Sequence, residues 1–166
     1  MTEHSDAKPR SVLAGLGFAV ASLGAGLLGT LTMRGKGSPD GAWFKALDKP
    51  AWQPPNWLFG PVWTALYAMI AYSGYRIWQA PKSRERTVAL SLWGAQMVLN
   101  GAWTPLFFGA RRPLVALADI GLLDATATAY AAAARRVDPK AATLVVPYLG
   151  WLGYATSLNG AIVAKN

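Results

Sequence analysis

The sequence predicts an all-α integral membrane bundle of five transmembrane helices, with a long first loop as a lid. Three observations predict it. Hydrophobic residues make up 53% of the chain and charged residues only 14%. The charges gather outside, or at the edges of, apolar stretches of about 20 residues, the length needed to cross a bilayer. Between the first two stretches, residues 43–57 hold Trp43, Trp52 and Trp57 together with Pro50, Pro54 and Pro55. Proline fixes φ and removes a backbone donor, and indole rings suit the membrane–water boundary, so this connection reads as a stiff cover.

A polar N-terminal tail, 1–10, carries Lys8 and Arg10 and leads into a single domain, 11–166. The apolar run that follows the tail is too long for the h-region of a signal peptide and reads as a retained helix. The predicted spans are about 11–33, 57–79, 87–108, 113–134 and 141–164. The first has Gly17, Ala21, Ala25 and Gly29 at every fourth position, a flat stripe suited either to packing inside one bundle or to a homodimer seam. The loop after it divides into a flexible half, 35–41, and an ordered half, 43–57, with a short helical turn at 42–47. The second span opens near Asn56 and Trp57. Pro105 near the end of the third predicts a kink or an early stop. Pro113 suits the first turn of the fourth. Pro147 lies one and a half turns into the fifth, where it frees a carbonyl that neighbouring helices must absorb.

If every stretch spans, the tail and the loops near 80–86 and 135–140 share one side. That side holds the slightly larger share of Lys and Arg, so the N-terminus is expected in the cytoplasm of a multi-pass protein. The net charge of +8 then reflects topology and contact with anionic head groups rather than nucleic acid. There is no Cys, and the one His, His4, lies in the tail. A His/Cys metal centre within the bundle is thereby excluded, and no metal or covalent cofactor is expected. No Ser/His/Asp arrangement suggests hydrolysis.

Polar groups inside hydrocarbon are costly and usually face the bundle interior. Gln96, Asn100 and Trp103 fall at i, i+4 and i+7. Trp151, Ala155 and Asn159 fall at i, i+4 and i+8. Trp63 and Tyr67 are one turn apart, and the fourth span adds Asp119. Counting about 1.5 Å per residue puts Trp63 roughly 9 Å below the rim that carries the Trp/Pro loop. Asp119 and Asn159 come to similar depths and Trp151 near the midplane, which describes a pocket beneath a lid. Each group also has a plainer reading. Trp43, Trp52, Trp57, Trp78 and Trp93 can form an aromatic belt, Trp63, Trp103 and Trp151 can be core, and the two Asn can join helices. Asp124 falls off the face of Asp119 and is expected against another helix or a subunit partner.

Three blocks in order carry a family resemblance. The first is Trp43, Phe44, Leu47, Lys49, Pro50, Trp52, Pro54 and Pro55, continuing to Trp63, Leu66 and Tyr67. The second is Gln96, Asn100, Trp103, Pro105, Phe107 and Phe108. The third is Pro147, Tyr148, Trp151, Ala155, Leu158 and Asn159. Together they resemble the tryptophan-rich sensory protein / translocator protein family over nearly the whole chain. The resemblance implies a bacterial cell-membrane protein, a homodimer in a lipid bilayer, with a pocket for porphyrins such as protoporphyrin IX and for hydrophobic drug-like molecules. Carried over by position, Trp63, Asn100, Trp151 and Ala155 belong to the pocket, with Phe44 and Pro54 on the lid side. Tyr67, Gln96, Trp103 and Trp52 complete the candidate set. Lys49 is a candidate to meet a propionate at the rim. The implied role is sensing or regulation in tetrapyrrole or stress metabolism. The alternatives are light- or oxygen-dependent porphyrin degradation involving Trp63 and Trp151, and lipid or porphyrin transport, although no inverted repeat is evident. Two features depart from the family pattern: Phe44 replaces a common Tyr, and the C-terminus lacks the Tyr of the animal cholesterol motif, which argues against cholesterol as native ligand.

Overall fold

The computed structural model describes residues 7–32 and 41–166, with side-chain surroundings for 12–24 and 41–166. The described chain is helical: α1 Ala7–Thr32, α2 Ala42–Ala46, α3 Asn56–Gln79, α4 Arg84–Thr104, a wide π-type turn Pro105–Gly109, α5 Pro113–Val137, α6 Pro139–Thr143 and α7 Val146–Lys165. The start of the polar tail and the flexible half of the first loop lie outside the described residues, apart from Gly41. Helix α1 begins at Ala7, four residues earlier than expected, so the end of the tail is already helical.

Helix α1 packs on α3 and α4, α4 on α5, and α5 on α7, while α3 reaches α4, α6 and, most lightly, α7. The arrangement is a closed ring of long helices. Its outside is apolar where that of a water-soluble bundle is polar, and its hydrophobic core holds several polar side chains. Val98 is 73% exposed and Leu122 57%, while Gln96, Asn100, Ser73, Ser22 and Asn159 are buried. Exposed apolar flanks, with the amides and hydroxyls turned inward, suit a surrounding of lipid. Among the described residues, α5 is the one helix long and apolar enough by itself to cross a membrane; Val12–Gly24 is a shorter apolar stretch. Helices α3, α4 and α7 carry Trp, Tyr, Gly and amides, which lower their mean hydropathy.

Three proline expectations resolve differently. Pro105 ends α4 in a wide turn closed by Ala110 N–H to the Pro105 carbonyl (2.8 Å) and Arg112 N–H to the Leu106 carbonyl (3.1 Å). Arg111 takes the left-handed conformation, φ 55°, where glycine is the usual residue. Pro113 opens α5 as expected. Pro147 does not interrupt a long helix. The expected fifth span is split into α6 and α7, so Pro147 sits in the first turn of α7, where its missing N–H has no intrahelical partner to lose. The junction of α5 and α6 is held by Asp138, whose carboxylate caps Lys140 and Ala141 N–H groups and accepts the Arg76 guanidinium at 2.8 Å.

The small-residue stripe of α1 is exposed at Gly17 and Ala21, while Ala25 and Gly29 fall outside the described side chains. Gly15 instead meets Tyr75. Trp93 is not a belt residue: it is buried, its indole N–H donates to the Ile70 carbonyl at 3.0 Å, and Phe18 meets it edge-on.

Candidate functional site

The loop lies across one end of the ring. Its first anchor is the short helix α2, within the predicted turn at 42–47. The turn places Phe44 inward, buried against Phe107 and Phe108 at centroid separations of 6.2 and 5.3 Å. Trp43 leans on Phe107. Lys49 folds back over α2. Its ammonium donates to the carbonyls of Phe44 (2.7 Å), Leu47 (2.8 Å) and Lys45 (3.2 Å) and lies 4.9 Å from the Phe44 ring centre. It serves as a brace of the loop, and with its donors spent on carbonyls it does not reach out to a ligand propionate as expected. Two further anchors come from α7. Tyr154 donates its hydroxyl to the Trp52 carbonyl at 2.9 Å. Asn166 pairs with the backbone of Asp48 in both directions, at 3.0 and 3.1 Å.

Beneath this loop is a cavity of about 480 Å³, within the usual size range for small-molecule sites. Helix α3 lines it with Phe59, Trp63 and Tyr67; α4 and its turn with Asn100, Trp103, Phe107 and Phe108; α7 with Trp151, Ala155, Leu158 and Asn159; the loop with Phe44 and Gln53. The periodicity explains the convergence. Turn-spaced residues on three separate helices point at one axis. Large rings then hold the helices apart. Trp63 and Trp151 meet edge-on at 6.4 Å, Trp63 stacks on Tyr67 at 5.2 Å, Phe59 abuts Trp151, and Trp103 stacks on Phe107 at 4.9 Å.

The floor is a chain of hydrogen bonds. Tyr67 donates to Asn100 Oδ1 (2.6 Å), Asn100 Nδ2 to the Tyr148 hydroxyl (2.9 Å), and Tyr148 to Gln96 Oε1 (3.0 Å). At the far wall Trp103 Nε1 donates to Asn159 Oδ1 (3.2 Å) and Asn159 Nδ2 to the Pro113 carbonyl (2.9 Å). Most polar groups around the hollow are thus already satisfied. Two that are not are Trp151 Nε1 and Gln53 Oε1, both buried and without a partner on residues that line the cavity. A buried, unpaired polar atom is costly, and here one donor and one acceptor are left for an occupant. Among the described residues no three His, Cys, Asp or Glu side chains gather as a metal site would require.

Of the ten residues singled out from the sequence, Trp63, Tyr67, Asn100, Trp103, Trp151, Ala155 and Phe44 line the cavity. Gln96 lies one bond behind the floor. Trp52 is about half exposed and packs on Tyr154 outside the hollow, and Pro54 is not part of the lining. Asp119 is likewise outside it, with one carboxylate oxygen buried and unpaired. Asp124 meets another helix: it accepts from Thr156 of α7 at 3.3 Å. Sequence reasoning missed Gln53 and Phe59, and also Leu23 of α1 and Ile120 and Leu123 of α5. Phe59 is one turn before Trp63 on the same face and was legible by spacing; Gln53, in an irregular loop, had no periodicity to give it away.

Comparison with known proteins places this geometry. A sequence profile of the TspO/MBR family matches residues 18–164. The chain is 43% identical to the Translocator protein of Ovis aries over 146 residues, 87% of this chain and 85% of the relative. It is 40% identical to the Tryptophan-rich protein TspO of Archaeoglobus fulgidus over 124 residues, covering 75% and 80% of the two chains. It is 38% identical to the Tryptophan-rich sensory protein of Cereibacter sphaeroides over 117 residues, covering 70% and 72%.

Proposed function

The chain belongs to the TspO/MBR family of membrane proteins, and on that premise we propose that its five long helices all span the bilayer and enclose a binding site for a flat, apolar tetrapyrrole. The single observation that carries this reading is the cavity of about 480 Å³ walled by Trp63, Trp103 and Trp151 beneath an anchored loop. Indole faces and edges pack well against a conjugated macrocycle. The free N–H of Trp151 and the free carbonyl of Gln53 suit a ligand that carries a carboxylate or carbonyl as well as ring N–H groups. Protoporphyrin IX has all of these, and smaller hydrophobic molecules with a carbonyl meet part of the same demand. In this reading the protein is a sensor or regulator in the cell membrane, with an N-terminus in the cytoplasm, a second copy as partner and a porphyrin as ligand.

The test is a titration of the purified protein with protoporphyrin IX, read by quenching of tryptophan fluorescence. Saturable quenching at one porphyrin per chain is expected, weakened about tenfold by Asn100→Ala, which breaks the floor, strands the Tyr67 hydroxyl and leaves Tyr148 with Gln96 alone. Quenching that rises linearly without saturation, as for partition into detergent, would remove the reading.

A second reading, porphyrin degradation, has one observation in its favour. Trp63, Trp151, Tyr67 and Tyr148 form a continuous set of touching rings at the cavity wall, a path for oxidising equivalents. In Trp63→Phe and Trp151→Phe, porphyrin binding that persists while light-dependent bleaching stops would favour catalysis. Unchanged bleaching in both would eliminate it. Transport predicts ligand-dependent flux in proteoliposomes, and its absence would close that option.

A further inference from the structure

At the end of the bundle away from the loop, the first turns of α4 and the last turn of α5 flank a second hollow, an open groove of about 310 Å³. It is lined by Arg84, Glu85, Val88, Ala133 and Arg136. Nothing in the reading above uses it. The two guanidiniums differ from those of Arg76 and Arg86, and among the described residues share their lack of a partner with Arg135 outside the hollow. Arg76 is spent on Asp138, and Arg86 donates twice to the Trp78 carbonyl, at 2.7 and 3.1 Å. Among the described residues Arg84 and Arg136 have neither a hydrogen-bond partner nor an ion pair within 4.0 Å. Both nevertheless act on Glu85. Its carboxyl is held below the usual range first by its own backbone N–H, then by the Ser83 hydroxyl, with the two arginines contributing. The floor is apolar: Val88 is 45% exposed, and the alanine run around Ala133 leaves α5 thin against α4. Further along the same helices Val98 and Leu122 are exposed.

We infer that this hollow is a site for an anionic glycerophospholipid, with its phosphodiester between Arg84 and Arg136, a head-group hydroxyl on Glu85, and acyl chain laid over Val88 and Ala133. The inference rests on α4 and α5 crossing the bilayer, as proposed above, and not on what the aromatic cavity binds. The charges select the lipid. Two guanidiniums and one carboxylate sum to one positive charge, matching one phosphodiester. A planar guanidinium offers paired donors to phosphate oxygens. Choline would add a cation against the arginines, and a phosphomonoester would bring a second negative charge beside Glu85. A glycerol head group supplies the hydroxyl that an ionised Glu85 can accept.

Native mass spectrometry of the full chain in detergent tests this with chain-matched phosphatidylglycerol, phosphatidylcholine and phosphatidic acid, and with inorganic phosphate as competitor. Phosphatidylglycerol is expected to bind about fivefold or more tighter than the other two lipids. Arg84→Gln with Arg136→Gln should weaken it about tenfold, whereas Arg135→Gln with Lys140→Gln, the same charge removed outside the hollow, should change it less than about twofold. Val88→Trp fills the floor and should weaken binding with both arginines kept. Equal losses in the two double variants, equal binding of phosphatidylcholine, or displacement by millimolar phosphate alone would each overturn the proposal. Protoporphyrin quenching retained in the Arg84/Arg136 variant shows that the bundle is intact, and it separates failure of this site from failure of the cavity reading.

Discussion

The two ends of the bundle are built from the same helices and pack in opposite ways. Away from the loop, small residues let backbones approach: Ala71, Gly74, Ala89, Ala127, Ala134 and Ala141 are all buried. A Cβ on Gly74 would fall 2.6 Å from Trp93 Nε1 and 2.8 Å from Phe18. The polar groups there are consumed internally, with Ser73 Oγ between the Tyr130 hydroxyl (2.7 Å) and the Ala141 carbonyl (2.8 Å). Under the loop, α3, α4 with its wide turn, and α7 carry Phe59, Trp63, Trp103, Phe107 and Trp151, whose rings prop the helices apart and leave a hollow. The lesson is that aromatic content alone does not make a pocket. Trp93 is as large as Trp63, yet it fills its space because glycine and alanine bring the walls to it.

This contrast can be broken by adding volume to the closed end. Gly74→Val should destabilise the protein by about 3 kcal/mol, against the usual gain from replacing a helical glycine. For a chain of this size that is roughly a 6–12 °C fall in melting temperature, and unchanged melting would mean that the closed end is not tightly packed. Removing a buried hydroxyl comes next. Ser73→Ala leaves Tyr130 and the Ala141 carbonyl without their shared partner and should cost about 2 kcal/mol, with Tyr130→Phe nearer 1 kcal/mol. If both variants melt like wild type, the polar seal is not holding α3 to α5 and α6. A glycine with open space makes the control: Gly121→Ala on α5, where nothing lies within 4 Å, should be neutral or stabilising by up to about 1 kcal/mol. The smallest effect concerns the lid. Asn166→Ala deletes both exposed bonds to Asp48 and should speed porphyrin release about two- to fivefold with little change in melting. An unchanged release rate in stopped flow would show that the C-terminal clasp does not gate the cavity.

Much of this was legible in the sequence wherever a period was at work. Trp63 and Tyr67, Asn100 and Trp103, Trp151 and Ala155 were found because a helix repeats every 3.6 residues, and α3, α4 and α7 each turn one face to the cavity, which Ile120 and Leu123 of α5 and Leu23 of α1 complete. The loop's ordered half was legible from Trp and Pro, and α2 from its position. What the sequence did not reveal depends on contacts between distant segments. The pull of Lys49 onto three carbonyls, the pairing of Asp48 with Asn166, and the choice of Trp93 as filler follow from three-dimensional neighbours. Pro147 misled for a local reason: a proline in an apolar run reads as a kink, but α6 ends at Thr143 and a turn at 144–145 restarts the chain as α7 just before it. Arg111 in a left-handed conformation likewise had no glycine to announce it.

The most direct test adds volume to the open end instead of the closed one. Ala155 is half-buried on the cavity wall, so Ala155→Phe should fold and melt within about 1 kcal/mol of wild type while filling the space a porphyrin needs. Titration of this variant with protoporphyrin IX, followed by tryptophan quenching, should show affinity lower by at least about tenfold, or roughly 1.4 kcal/mol. A folded Ala155→Phe protein that binds the porphyrin as tightly as wild type would place the ligand elsewhere and contradict the account.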